Sequence, residues 1–388
     1  MKKLISLAVA SALSISVAAA IARDRDGVPD LDHVFVIVLE NHNSFTSFGA
    51  NGILDNPKAP HIQALAKTYN FASNYNAVWH PSLPNYVAMI TGDFTGTDVL
   101  GNTQVGGHLY PPNSTVGISD DDSPSVAVDY PPPANPSPHR WRIQLPSLAG
   151  QLVKAGKDWR AYLQNLPESG THLANWPSDN NSGKVYAVKH NPFPYVAEVQ
   201  DSPTQFARQV PMEQLFSDLG RGRVPDFSYI VPDQCRDMHG LSSPIAPCGG
   251  ASDTDDNDIQ RGDDETFWLV NAITGSPSWK HGRNAIFVVF DEGNGPLTCP
   301  TYDPDHGIDT APKSLLPGAD CYDPHNFNDK VVLITITNYG VRGVTDDRFY
   351  SHYSLLKTIE AAFDLPFLGH AADATTRSLA PLLAPRGD

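Results

Sequence analysis

Four separate apolar runs each end in a burst of polar side chains, and no other feature limits the possible folds so strongly. Phe35 to Leu39 runs directly into Glu40, Asn41, His42, Asn43 and Ser44. The run "FSYIV" (227–231) leads into "PDQCRDMHG", "AIFVVF" (285–290) into "DEGNG", and "VVLITI" (331–336) into "TNYGVRGVTDDRFYSH". Short continuous apolar runs read as strands buried on both faces. Between them, 60–69, 147–155, 204–219, 262–275 and 353–363 read as helices. Pro60 stands near the start of the first, and Ser351 is placed to cap the last. The stretch 71–78 reads as extended, and "WHPSLPNYVAMITG" as a proline-punctuated turn entering a short apolar helix. Strands alternating with helices predict an α/β fold, with a mostly parallel central sheet and helices on both faces. Ligands of such open sheets bind beyond the carboxyl ends of the strands. Polar bursts at several strand ends therefore converge on one edge and mark a site.

The chain has 388 residues and a formal net charge of −16. That balance argues against nucleic-acid or anionic-membrane partners, whose phosphates need Lys and Arg. Lys2 and Lys3, an apolar stretch from Leu4 to Val17 and Ala18 to Ala20 form a bacterial-type secretory leader, placed at 1–22. Its apolar part is shorter than the ~20 residues of a membrane span, and no later segment could span a bilayer. A periplasmic or secreted protein is expected, with one domain over 23–388. Two polar, loop-like insertions near 102–140 and 294–327 would be lids of that domain. Export makes disulfides possible among Cys235, Cys248, Cys299 and Cys321. Of three connectivities, Cys235–Cys248 with Cys299–Cys321 is the simplest, and the spacing does not choose among them.

The strand-end residues carry chemistry. Glu40, Asp291 and Glu292 would repel one another at one sheet edge, and a divalent cation removes that repulsion. Carboxylate, amide and hydroxyl oxygens suit Mg²⁺, Ca²⁺, Mn²⁺ or Zn²⁺. Ser82 lies between two prolines at a helix mouth, where amides can hold an anion. It reads either as a helix cap or as a nucleophile made reactive by the metal. His80, His239 and His352 flank polar turns and could donate protons or bind metal, with His352 the best placed. The acidic run "SDTDDND" (252–258) reads as a solvated loop, with a calcium loop as the alternative, although Asp258 stands where such a loop needs glycine. There is no glycine-rich nucleotide loop and no G-x-S-x-G elbow.

Five blocks in order, "HVFVIVLENHNSFTSFG", "HPSLPNYVAMITG", "VPDQCRDMHG", "VVFDEGNG" and "FYSHYSLLKTIEAAFDLP", resemble the bacterial phosphoesterase family. That family includes acid phosphatases and phospholipases C within the alkaline phosphatase superfamily. The resemblance implies an alkaline-phosphatase-like fold with long loop insertions. It implies that Glu40 and Asn41 ligate or neighbour one divalent metal ion, that Ser82 is the nucleophile and touches it, and that Asp291 and Glu292 complete its site. His80, Asp233, Asp237, His239 and His352 would fall where two-metal relatives hold a second ion and single-metal relatives contact phosphate. The Asp291-Glu292 pair replaces the Asp-His of nucleotide pyrophosphatases, which favours one metal with histidine donors. Asp233 and Asp237 both precede His239, so either fits that block. The implied activity is acid hydrolysis of small phosphate monoesters through a phosphoserine. A phospholipase C or other phosphodiesterase, and a non-enzymatic calcium-dependent binding protein, are the alternatives.

Overall fold

A computed structural model describes residues 26–93, 143–171, 173, 175–177, 185–241, 248, 254–294 and 329–385. The strands among them are β1 (His33–Leu39), β2 (Asn70–Ala72), β3 (Tyr75–Asn76), β4 (Trp159–Leu163), β5 (Asn175–Trp176), β6 (Tyr186–Ala187), β7 (Gln209–Pro211), β8 (Phe227–Val231), β9 (Asn284–Phe290), β10 (Leu333–Thr337), β11 (Thr345–Asp346) and β12 (Tyr350–Ser351). The helices are α1 (Pro60–Thr68), α2 (Ser82–Thr91), α3 (Leu148–Lys154), α4 (Ala197–Gln200), α5 (Pro203–Phe206), α6 (Glu213–Arg221), α7 (Asp255–Gly275) and α8 (His352–Ala362).

Every residue of β1 from Val34 to Leu39 is buried, as a run without polar alternation requires. Each such side chain contributes roughly 1.5–3 kcal/mol by leaving water. β1 therefore lies inside an eight-stranded sheet of order β11-β2-β10-β9-β1-β8-β4-β7. Its neighbours β8 and β9 run parallel to it, as β4 and β7 do beyond β8. β10 is antiparallel to both β9 and β2. The mostly parallel sheet expected from the sequence is thus present, with one reversed strand. Helices α1, α6 and α7 pack together, and α2, α3 and α8 form a second group, as expected when helices cover both faces of a sheet.

Two readings change. The stretch 204–219 is not one helix: α5 ends at Phe206, β7 follows, and α6 begins at Glu213. Pro211 has no N–H to continue a helix, and β7 gains a strand partner at the sheet edge in β4. β4 carries no long apolar run and left no clear sequence signal. The described part of the acidic run is the start of α7 rather than a calcium loop or a solvated loop. Asp255, Asp256 and Asp258 occupy its first turn, where negative charge complements the helix dipole. Cys235 and Cys248 form a disulfide. The leader, the 102–140 insertion, the 294–327 insertion beyond Asn294, and Cys299 and Cys321 lie outside the described residues. Among the described residues no helix is long and apolar enough to cross a membrane.

Candidate active site

Strand register assembles the first half of the site. Leu39 pairs with Phe290 across β1 and β9, so Glu40 and Asp291 leave the sheet at the same level. The Asp291 N–H donates to Leu39 O at 2.9 Å, and the Glu40 N–H to Asp237 O at 2.7 Å. Asn41 turns in the left-handed region (φ 61°), which brings its N–H to 3.1 Å from Asp291 Oδ1. Asparagine is one of the few residues that enter this region at low cost.

Ser82 is delivered by α2. Asn85, one turn into the helix, accepts from the N–H groups of Val78 and Trp79 and donates to the carbonyls of Trp79 and Pro81. One buried amide thus clamps the whole approach to the helix mouth. Ser82 Oγ, buried, lies 2.8 Å from Glu40 Oε2 and 3.2 Å from Glu292 Oε1. The other Glu40 oxygen accepts from Tyr86 OH at 2.5 Å. Tyr86 stacks on His190 with ring centroids 5.5 Å apart.

The carboxylates here are forced together. Burial, reinforced by Glu40 and Glu292, holds the Asp291 carboxyl well above the usual range. Burial also raises Glu40, against the pull of His190. Asp291 Oδ2 is buried and has no hydrogen-bond partner among the described residues. An oxygen of this kind beside two further acids fits a divalent cation, which would relieve both the repulsion and the unmet acceptor. Glu40, Ser82, Asp291 and Glu292 are the groups that could hold it. Asn41 reaches the cluster through its backbone N–H.

A clamp around His80 closes one side. Its Nδ1 is 3.0 Å from Glu292 Oε2 and its Nε2 is 2.9 Å from Asp329 Oδ2. Burial lowers the histidine pKa, but the two acids outweigh it and push it to about 10. Asp329 also accepts from the Gly293 N–H and from Asn43 Nδ2, both at 2.7 Å. Burial raises its pKa, yet His80 and these donors hold it below the usual range.

On the other side of Glu40 lies a second group. His190 Nε2 is 3.2 Å from Glu40 Oε1, and its Nδ1 is 2.8 Å from Asp237 Oδ2. The Asp237 carboxyl also accepts from the His239 N–H at 2.8 Å. Burial, only partly offset by His239, pushes Asp237 up to about 8. Glu40, His190 and His239 each offer a ligand atom within 4.8 Å of the others.

The structure therefore brings together Glu40, Asn41, His80, Ser82, Asp237, His239, Asp291 and Glu292. It separates Asp233, which is engaged by Arg236 at 2.7 Å, by Asn165 and by the Cys235 N–H. Of the two aspartates before His239, Asp237 is the one at the site. His352 is fully buried, and both ring nitrogens are taken. Nε2 donates to Asp291 O at 2.6 Å and Nδ1 accepts from Tyr75 OH at 2.8 Å. Burial pushes its pKa down to about 4. It packs beneath Asp291 with both nitrogens engaged, and is not placed as the proton donor or metal ligand that its position at a helix start suggested. The sequence reading passed over Asn43, Asn85, Tyr86, Lys189, His190 and Asp329. His190 ends the 3₁₀ turn that follows the two-residue β6, so no long apolar run pointed to it.

The profile of the Phosphoesterase family matches residues 41–366. A probable acid phosphatase of Kluyveromyces lactis is 24% identical over 94% of this chain and 66% of its own length. A phosphatidylinositol-3-phosphatase of Mycobacterium tuberculosis is 24% identical over 89% of this chain and 82% of its own length. An acid phosphatase of Aspergillus fumigatus is 24% identical over 79% of this chain, which spans 51% of that protein. Among solved structures, a protein in the alkaline phosphatase superfamily from Vibrio parahaemolyticus superposes with a TM-score of 0.46 at 12% identity, covering 89% of this chain and 71% of that one. Murine ectonucleotide pyrophosphatase/phosphodiesterase 5 gives 0.46 at 11% identity, covering 87% and 96%.

Proposed function

The chain belongs to the Phosphoesterase family, and from that premise we propose that it is an exported, metal-dependent acid phosphatase acting on small phosphate monoesters through a phosphoserine at Ser82. The observation that carries this reading is the position of Ser82. A buried hydroxyl at the first residue of a helix, 2.8 Å from one carboxylate and 3.2 Å from another, is placed both to lose its proton and to attack.

The family and the donor set both fit one divalent cation held by Glu40, Ser82, Asp291 and Glu292, with Asn41 beside it. Its chemistry would be to neutralise these acids and lower the pKa of the serine hydroxyl. The protein's own groups do the rest. Glu40 Oε2 is the nearest acceptor for the Ser82 proton. The first turn of α2 presents the positive end of a helix to the phosphoryl oxygens. Ser82 Oγ forms a bond to phosphorus as the bond to the leaving alcohol's oxygen breaks. The leaving oxygen takes a proton, and water then reverses the substitution and frees Ser82. His80 and His190 face the site carboxylates with both ring nitrogens engaged and balance their charge, and the proton that Glu40 takes from Ser82 is the one at hand for the leaving oxygen. His352 positions Asp291. The catalysis is chiefly placement and charge stabilisation, as phosphoryl transfer requires.

The named relatives support a monoester substrate, since they are acid phosphatases and an inositol-lipid phosphatase. The Cys235–Cys248 disulfide supports an oxidising compartment. The test is hydrolysis of an aryl phosphate and of a bis-aryl phosphate across acid to alkaline pH, with and without chelator, on wild type and Ser82→Ala. Monoester turnover that disappears in Ser82→Ala and under chelation upholds the reading, and an acid optimum upholds its finer form. Turnover of the diester alone replaces it with a phosphodiesterase. Full activity in Ser82→Ala removes the nucleophile.

A further inference from the structure

Lys189 directs its ammonium onto His239, with Nζ 3.0 Å from Nε2. The other ring nitrogen, Nδ1, is 2.8 Å from Gly240 O, a group that only accepts. The ring therefore carries its proton on Nδ1 and turns the Nε2 lone pair toward the ammonium. An imidazole engaged at both nitrogens in this way neither ligates a cation nor donates a proton at Nε2. The ring is built to hold a lysine.

The place where it holds that lysine is informative. A His239 nitrogen lies within 4.8 Å of both a His190 nitrogen and a Glu40 oxygen. His190 Nε2 is 3.2 Å from Glu40 Oε1, and the other oxygen of that carboxylate takes the Ser82 hydroxyl. One carboxylate thus separates the nucleophile from the group that includes the ammonium. The charge of Lys189 is felt there, pulling both Glu40 and Asp237 down against burial. Lys189 and His190 are adjacent in one 3₁₀ turn (Val188–His190), so the lysine backbone is anchored beside the ring stacked on Tyr86.

A site lined by buried acids repels an anionic substrate unless cations are built beside it. A monoester above its second pKa of about 6 carries two negative charges, whereas a diester carries one. We propose that Lys189, oriented by His239, contacts the substrate's phosphoryl group and, at pH values where a monoester is a dianion, sets the preference for monoesters over diesters. His239 is the positioning residue for that contact. This inference rests on the phosphatase reading given above.

The experiment compares Lys189→Met, Lys189→Arg and His239→Ala with wild type, above the second phosphate pKa. It measures kcat/KM on an aryl phosphate and a bis-aryl phosphate. It also measures inorganic phosphate binding to the divalent-loaded protein by calorimetry. Loss of one charge-assisted hydrogen bond predicts a fall of roughly 10- to 100-fold in monoester kcat/KM for Lys189→Met. Phosphate affinity falls by a similar factor and diester turnover changes much less. Lys189→Arg keeps most of the phosphate affinity, and His239→Ala moves both readouts in the same direction as Lys189→Met. Equal losses on monoester and diester, or unchanged phosphate affinity in Lys189→Met, overturn the proposal. If wild type hydrolyses neither ester, the phosphatase reading fails, and the phosphate titration still decides the role of Lys189. Lost affinity in Lys189→Met upholds the contact. Unchanged affinity, or no binding by wild type, overturns it. Should Lys189→Met fail to fold, Lys189→Arg and His239→Ala carry the same comparison.

Discussion

Glu40 and Asp291 stand side by side because the residues before them, Leu39 and Phe290, are paired in register on adjacent parallel strands. The sheet's hydrogen bonding therefore forces two buried carboxylates together, and Glu292 adds a third. Such crowding costs stability unless a cation neutralises it. Asp291→Asn removes one charge and keeps an oxygen for the Asn41 N–H. In chelator it is expected to be more stable than wild type by roughly 1–3 kcal/mol. Added Mg²⁺ or Zn²⁺ raises the melting temperature of wild type and leaves the variant nearly unchanged. Thermal melts in chelator and in each cation check both halves.

His352 gives the protein an acid limit. Burial depresses its folded pKa from 6.5 to about 4. The unfolded chain therefore takes up this proton first. The contribution is present in full above pH 6.5 and is lost as pH falls through about 4, with a size on the order of 3 kcal/mol. His352→Gln is expected to be less stable at neutral pH and to show a flatter decline between those limits. Denaturant titrations at a series of pH values measure it, and an acid limb identical to wild type assigns the decline to other groups.

Gly293 is held to zero side-chain volume by the His80 clamp. A methyl group there would collide with Asn43 Nδ2 and Asp329 Oδ1, while its N–H donates to Asp329 at 2.7 Å. Gly293→Ala should cost roughly 1–3 kcal/mol of stability. It should lower turnover roughly 10- to 100-fold by displacing the Asp329 that holds His80. Denaturation curves and steady-state kinetics on one preparation check the two effects together.

The Cys235–Cys248 disulfide spans 13 residues of sequence that include Asp237 and His239. Closing a loop of about this length is worth about 3 kcal/mol through the unfolded state. Cys235→Ser with Cys248→Ser should lose about that much stability. It should also weaken phosphate binding, because the segment carrying the Lys189 acceptor is no longer tied down. Unchanged phosphate affinity in a destabilised variant would limit the disulfide to stability alone.

The sequence by itself determined the strands that form the middle of the sheet and the acids at their ends. A run such as Val34 to Leu39 has no stable place except between two covered faces, and Glu40 must then emerge at its end. The same local logic marked Ser82, since prolines before and within the first turn of an apolar helix leave little conformational choice. Tertiary structure decided everything that depends on what lies across a gap. Asp329 lies 39 residues beyond the end of β9 at Phe290, and the run after it points the other way as antiparallel β10, so no apolar run announces its partner His80. Asp237 and Asp233 are equivalent in sequence and differ only in what packs against them: His190 for one, Arg236 and Asn165 for the other. His352, singled out by sequence, packs beneath Asp291, while His190, not singled out, reaches Glu40 and Asp237, for the same reason. A histidine's role is set by the groups at its two nitrogens, and those groups come from distant parts of the chain.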